Sequence, residues 1–135
     1  METAVIDSSA FAAFCLREEG SEWVGPYLRR GVASIDLLIK ETCNAAVTAK
    51  RRGTIKKSAF DRVIEAALRL SSANVKMFPQ TGLMRSAVKT AVESRLTVYD
   101  SLYIALAQRL KSPLLSLDLE QADVARKAGL VVVRD

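Results

Sequence analysis

Short apolar runs recur along this chain, and each is followed by a stretch in which apolar residues return at helical spacing. Residues 3–6, Val32–Ile35, Val75–Phe78, 114–117 and 130–133 read as strands. Ser8 or Ser9 is expected to cap a first helix that carries Ala10, Phe11, Phe14 and Cys15 on one face and ends at Gly20. A second helical stretch, 22–30, is interrupted in pattern by Gly25-Pro26, and a third runs from a cap at Asp36 to about Arg52. Gly53 closes that helix and Thr54 opens the next, which buries Phe60, Val63, Ile64, Ala67 and Leu68. Helices are also expected over 81–94, 99–110 and 121–128, the middle one apolar almost all round and therefore interior. Strands separated by helices pair in parallel through right-handed crossovers. The fold class is thus α/β, a three-layer α/β/α sandwich with a mainly parallel central sheet of about five strands.

The length, 135 residues, suits one domain spanning 1–135. Half of the residues are apolar and 26% are charged, the balance of a globular chain rather than a disordered one. Charges break every apolar run before the roughly 18 residues a membrane span needs. The start, Met1-Glu2-Thr3-Ala4-Val5, lacks a basic region and reads as a strand, so a cytoplasmic location is expected.

Four acids share one context. Asp7 follows the first apolar run, Asp118 follows the fourth, and Glu41 and Asp100 lie near the starts of apolar helices. In an open α/β sheet those positions fall on one edge, where ligands bind. Carboxylates gathered there, in a chain with no histidine, point to a hard divalent cation such as Mg²⁺ or Mn²⁺. The simpler reading of Asp100 alone is that it caps its helix, and on its own sequence it stands equal to the metal reading.

The blocks Val5-Ile6-Asp7-Ser8-Ser9, Glu41-Thr42-Cys43-Asn44, Thr97-Val98-Tyr99-Asp100-Ser101-Leu102-Tyr103-Ile104-Ala105-Leu106-Ala107 and Leu115-Ser116-Leu117-Asp118 resemble the PIN-domain ribonucleases, especially the small VapC-type toxins. The resemblance spans nearly the whole chain, and the block around Asp100 is its most specific part. It implies that Asp7, Glu41, Asp100 and Asp118 form a catalytic pocket for Mg²⁺ or Mn²⁺, with Ser9, Asn44 and Ser116 orienting them. Ser116 stands where threonine is more usual in the family, which keeps the hydroxyl. The implied activity is metal-dependent endoribonuclease cleavage of RNA. The implied partners are a VapB-type antitoxin and a second copy of the chain in a homodimer. A nuclease of RNA processing or decay without an antitoxin is the alternative within the fold.

Lys50, Arg51, Arg52, Lys56 and Lys57 place five positive charges and no acid in eight residues, in a chain of net charge +5. Arg51, Arg52, Lys56 and Lys57 suit RNA phosphates, but cations also gather at helix carboxyl ends because the dipole favours them, and that reading asks for less. Trp23, Tyr27, Tyr99 and Tyr103 could stack on bases; their helical spacing fits core or dimer interface better. Cys15 and Cys43 read as small core residues, although the sequence leaves a disulfide open.

Competing chemistries lack their hardware. A dehalogenase-like phosphoaspartyl site wants a second aspartate two residues after Asp7, where Ser9 stands. A receiver domain wants paired acids and a strand-end lysine. No glycine-rich loop follows the first strand to cradle a dinucleotide. A non-catalytic nucleic-acid-binding module leaves the four acids unexplained.

Overall fold

The computed structural model describes residues 4–135. Thr3, assigned above to the first strand, lies outside them. The elements run β1 (Val5–Ile6), α1 (Ser8–Cys15), α2 (Val24–Arg30), β2 (Val32–Ile35), α3 (Leu37–Arg51), α4 (Lys57–Asn74), β3 (Val75–Phe78), a 3₁₀ turn (Thr81–Leu83), α5 (Met84–Glu93), α6 (Val98–Leu110), β4 (Leu114–Leu115), α7 (Leu119–Lys127) and β5 (Val132–Val133).

The strands form one sheet in the order β3-β2-β1-β4-β5, and every pairing is parallel. Val5 sits opposite Ala33 on one side and Leu114 on the other, so β1 is central. From β1 the chain steps outward through β2 to β3, then returns across β1 to β4. Right-handed crossovers require that reversal to change faces. Helices α1 to α4 therefore cover one face and α5 to α7 the other. The reversal also opens the sheet's crevice at the carboxyl ends of β1 and β4.

The core lies on both sides of β1. Val5 and Ile6 are completely buried, as are Phe11, Ile35, Tyr103, Ile104 and Leu115. Every residue of α6 from Ser101 to Ala107 is buried, which matches its all-round apolar sequence. Pro26 is accommodated because it sits in the first turn of α2, where backbone N–H groups have no intrahelical acceptor.

Several local expectations are corrected. Neither Ser8 nor Ser9 caps α1. Asp7 occupies that position in extended backbone and accepts from Ala10 N. The helix ends at Cys15, and Arg17 turns the chain at φ 56°, before Gly20 is reached. Asp36 precedes α3 but makes no capping bond, and its carboxylate accepts from the Gln80 side chain instead. Thr54 does not open α4; its hydroxyl donates to Ala49 O and closes α3. The fourth and fifth strands are two residues each, shorter than their apolar runs. Both cysteines are free, Cys15 buried and Cys43 partly so, and burial pushes the Cys15 thiol up to about 12.

Candidate active site

Asp7 leaves the carboxyl end of the central strand directly into α1, so the fold buries it to 1% exposure. Its Oδ1 accepts two hydrogen bonds, from Ser9 Oγ at 2.6 Å and Ala10 N at 3.0 Å. Its Oδ2 is equally buried and has no hydrogen-bond partner among the described residues. Trp23 Nε1 and Thr42 Oγ1 are the other buried side-chain atoms in that condition among the described residues, but neither can carry charge at neutral pH. Burial raises the Asp7 carboxyl to about 6. The Ser116 and Ser9 hydroxyls and the Ala10 N–H pull it down, and the charge of Asp118 pushes it up.

Asp118 follows β4 and caps α7, with Oδ1 accepting from Gln121 N at 2.8 Å. Two serines join it to Asp7. Ser9 donates to Asp7 and accepts from Leu117 N at 2.8 Å, while Ser116 Oγ accepts from Asp118 N at 3.1 Å. The two hydroxyls lie 3.4 Å apart.

Asp100 is the third residue of α6, half-buried, and does not cap it. Thr97 does, accepting from Asp100 N at 3.1 Å. With the cap supplied by Thr97, the carboxylate of Asp100 is not needed to satisfy the helix end. Burial raises its pKa first, followed by the charges of Asp118, Glu41 and Glu120, against a lowering contact from Thr97. Glu41, in the second turn of α3, accepts from Tyr103 Oη through Oε1 at 2.6 Å.

The four carboxylates thus sense one another across four elements: Asp7 with Asp118, and Asp100 with both Asp118 and Glu41. Three of them have one oxygen held by the scaffold, through Ser9 and Ala10, Tyr103, or Gln121, with no hydrogen bond to the second oxygen among the described residues. The donor set is all oxygen, and the partnerless buried Oδ2 of Asp7 suits a hard divalent cation. Among the described residues no group of three or more acidic or thiol side chains is arranged to hold one ion as it stands.

Not every residue expected here arrives. Asn44 lies one turn beyond Glu41 but is exposed and makes no side-chain hydrogen bond among the described residues. Arg51, Arg52, Lys56 and Lys57 are all exposed at the α3–α4 corner, where Lys57 pairs with Asp61 at 3.0 Å. Trp23 and Tyr27 pack edge to face, with Arg30 over the Tyr27 ring, and Tyr99 is 59% exposed.

Other residues belong to the site and were not foreseen. Thr97 was legible, since a threonine three residues before an acid at a helix start is a capping signature. Asp118 and Gln121 have related spacing. Gln121, buried, also donates through Nε2 to Asp100 O at 3.3 Å. Arg134 donates through Nη2 to Leu117 O at 2.9 Å and steadies the segment that carries Asp118. Tyr103 lies one turn after Asp100, but its bond to Glu41 spans 62 residues of sequence, and neither that bond nor the contact of Arg134 with Leu117 is marked by any local pattern.

Comparisons with known proteins bear on the family and the fold. Ribonuclease VapC3 of Pyrobaculum aerophilum is 29% identical over 121 residues, 88% of this chain and 92% of that protein. The crystal structure of PAE2754 from the same organism superposes with a TM-score of 0.70 at 26% identity, covering 95% of this chain and 81% of that one. The fold is also that of Mycobacterium tuberculosis VapC20, a sarcin-ricin loop cleaving toxin, with a TM-score of 0.64 at 17% identity over 96% of this chain and 98% of that one. Residues 4–127, which include all four carboxylates and both serines that join Asp7 to Asp118, match the model of the PIN domain, and the chain belongs to that family.

Proposed function

We propose that this chain is a Mg²⁺- or Mn²⁺-dependent endoribonuclease of the VapC type, the toxin of a toxin–antitoxin pair. The observation that carries the reading is Asp7: a fully buried carboxylate with one oxygen saturated, the other without a partner, and Asp118 close enough to raise its pKa. A structural carboxylate so placed costs several kcal/mol unless a cation or donors compensate. The similarity to a protein named ribonuclease VapC3 and the fold shared with a toxin supply the substrate class, RNA, and the expectation of an antitoxin.

Asp7, Glu41, Asp100 and Asp118 would hold the ion, which when bound acidifies water and stabilises charge on the leaving oxygen of a phosphodiester. The chain's own part is orientation. Ser9 and the Ala10 N–H fix Asp7, Ser116 holds the backbone of Asp118, and the α7 cap fixes the Asp118 carboxylate. No protein nucleophile is required, and no histidine is available for imidazole acid–base chemistry.

The same reading includes a homodimer and a cytoplasmic location. Met84, Val88 and Val92 recur every four residues on α5 and remain exposed, an apolar stripe that a second copy could cover. Among the described residues no helix is long and apolar enough to cross a membrane.

The test is cleavage of RNA by purified protein in Mg²⁺ or Mn²⁺, with Asp100→Asn as the paired variant. Cleavage that needs the ion and disappears in the variant supports the reading; equal cleavage in excess EDTA overturns it. Expression of the chain alone should arrest growth, and arrest that persists with Asp100→Asn would detach toxicity from this site.

A further inference from the structure

Tyr103 is the largest completely buried side chain in the molecule, yet its hydroxyl is not idle. It leaves α6 one turn after Asp100, on the same side of the helix, and meets Glu41 of α3 at 2.6 Å across 62 residues of sequence. A phenol O–H donating to a carboxylate at that length is a strong, charge-assisted bond. The Ser8 hydroxyl and the charge of Asp7 also lie near enough to act on the phenol. The ring is held by the core, so the direction of its hydroxyl is held too.

Resting on the four-carboxylate reading of the site, we infer that Tyr103 is a positioning residue that locks Glu41 Oε1 and leaves only Oε2 to face a divalent cation. Glu is the longest of the four acids, with one more rotatable bond than aspartate, and α3 supplies no cap or serine to fix it. Asp7 and Asp118 are fixed by bonds within their own turns. Glu41 obtains the equivalent restraint from the opposite helical layer. One helix therefore both donates a carboxylate, Asp100, and restrains another, and α6 couples the packing of the core to the geometry of the site.

The experiment compares Tyr103→Phe, Glu41→Gln and the double variant for Mn²⁺ affinity, by calorimetry and by electron paramagnetic resonance of free Mn²⁺. The phenylalanine keeps the ring and its packing. Loss of a hydrogen bond that orients a ligand typically weakens metal affinity roughly 10–100-fold. Tyr103→Phe is expected to weaken Mn²⁺ binding by about tenfold, to regain cleavage when Mn²⁺ is raised, and to add nothing to Glu41→Gln. Full Mn²⁺ affinity in Tyr103→Phe, alongside weakened binding in Glu41→Gln, overturns the role of Tyr103 while leaving the site intact. Full affinity in Glu41→Gln overturns instead the placement of Glu41 in the site, and the role of Tyr103 with it. Should Tyr103→Phe not fold, the ¹³Cζ shift of Tyr103 decides: it moves in Glu41→Gln if the bond is as described, and an unchanged shift overturns it.

Discussion

The acidic edge of the sheet and the basic corner between α3 and α4 carry similar amounts of charge, and the fold treats them in opposite ways. Asp7, Glu41, Asp100 and Asp118 come from four separate segments and lie buried or half-buried, three of them held through one named oxygen. Lys50, Arg51, Arg52, Lys56 and Lys57 come from one turn and are all exposed. Lys57 pairs with Asp61 and Lys50 lies over the Phe60 ring, while Arg51, Arg52 and Lys56 have no charged or aromatic partner among the described residues. Water stabilises an exposed cation at almost no structural cost. A carboxylate brought to the end of a central strand loses that hydration, which costs free energy unless hydrogen-bond donors or a cation compensate. Burial and restraint, rather than number of charges, distinguish the two regions as candidates for chemistry.

The comparison breaks most readily at Asp100. Asp100→Asn keeps the shape and leaves the Thr97 cap intact, so the fold should survive, as measured by circular dichroism and thermal melting. RNA cleavage should fall by more than the roughly 10–100-fold that outer hydrogen-bonding partners of a metal site are worth. A milder loss would place Asp100 outside the reacting centre.

Ser9 sharpens the same edge. Ser9→Ala removes the donor to Asp7 and the acceptor of Leu117 N together. A buried group left unpaired costs about 1–3 kcal/mol, so urea unfolding should show a loss of that order along with reduced cleavage. Unchanged stability would mean that the link between Asp7 and the β4 end is not maintained in solution.

Asp7 gives a pH signature. Its folded pKa, about 6, lies above the ordinary 3.8, so the metal-free fold binds this proton more tightly than the unfolded chain. Stability from that proton is fully present below pH 4 and is lost as pH rises through 6. Asp100 is shifted in the same direction. Asp7→Asn, which cannot ionise, should exceed the metal-free parent in stability by roughly 3 kcal/mol above pH 7, the difference vanishing below pH 4. Parallel pH profiles for the two proteins would remove burial as the cause.

The basic corner should respond least. Replacing Arg51, Arg52, Lys56 and Lys57 by glutamine should change folding stability by no more than about 0.5 kcal/mol, since exposed charges and the Lys57–Asp61 pair contribute little. If the corner contacts phosphate, the salt dependence of RNA binding should flatten by a slope of about 0.7 per contact on a single strand. An unaltered slope assigns these residues to the helix ends alone.

Much of this was legible because hydrophobic period is a local property. The switches between strand-like and helical runs placed all five strands and the long helices, and the context of each acid placed it at the correct end of its element. Caps were harder, because they depend on backbone dihedrals as well as residue type. Asp7 took the cap expected of Ser8 or Ser9 since the chain leaves β1 in extended backbone at Asp7 itself. Asp36 is of a good capping type, yet its own φ and ψ are helical and its side chain turned to Gln80. Tyr103 looked like core and is core, but its bond to Glu41 depends on two helices meeting beyond the sheet edge, which no local pattern encodes.

Calorimetric titration of Mn²⁺ into the parent protein and Asp7→Asn, at pH 7.5 and pH 5, tests the central claim most directly. One saturable binding event is predicted for the parent, weaker at pH 5 and accompanied there by proton release as Asp7 ionises, and strongly weakened in Asp7→Asn at both pH values. Equal Mn²⁺ affinity in the two proteins, or none in the parent, would contradict the assignment of this buried carboxylate edge as a metal site.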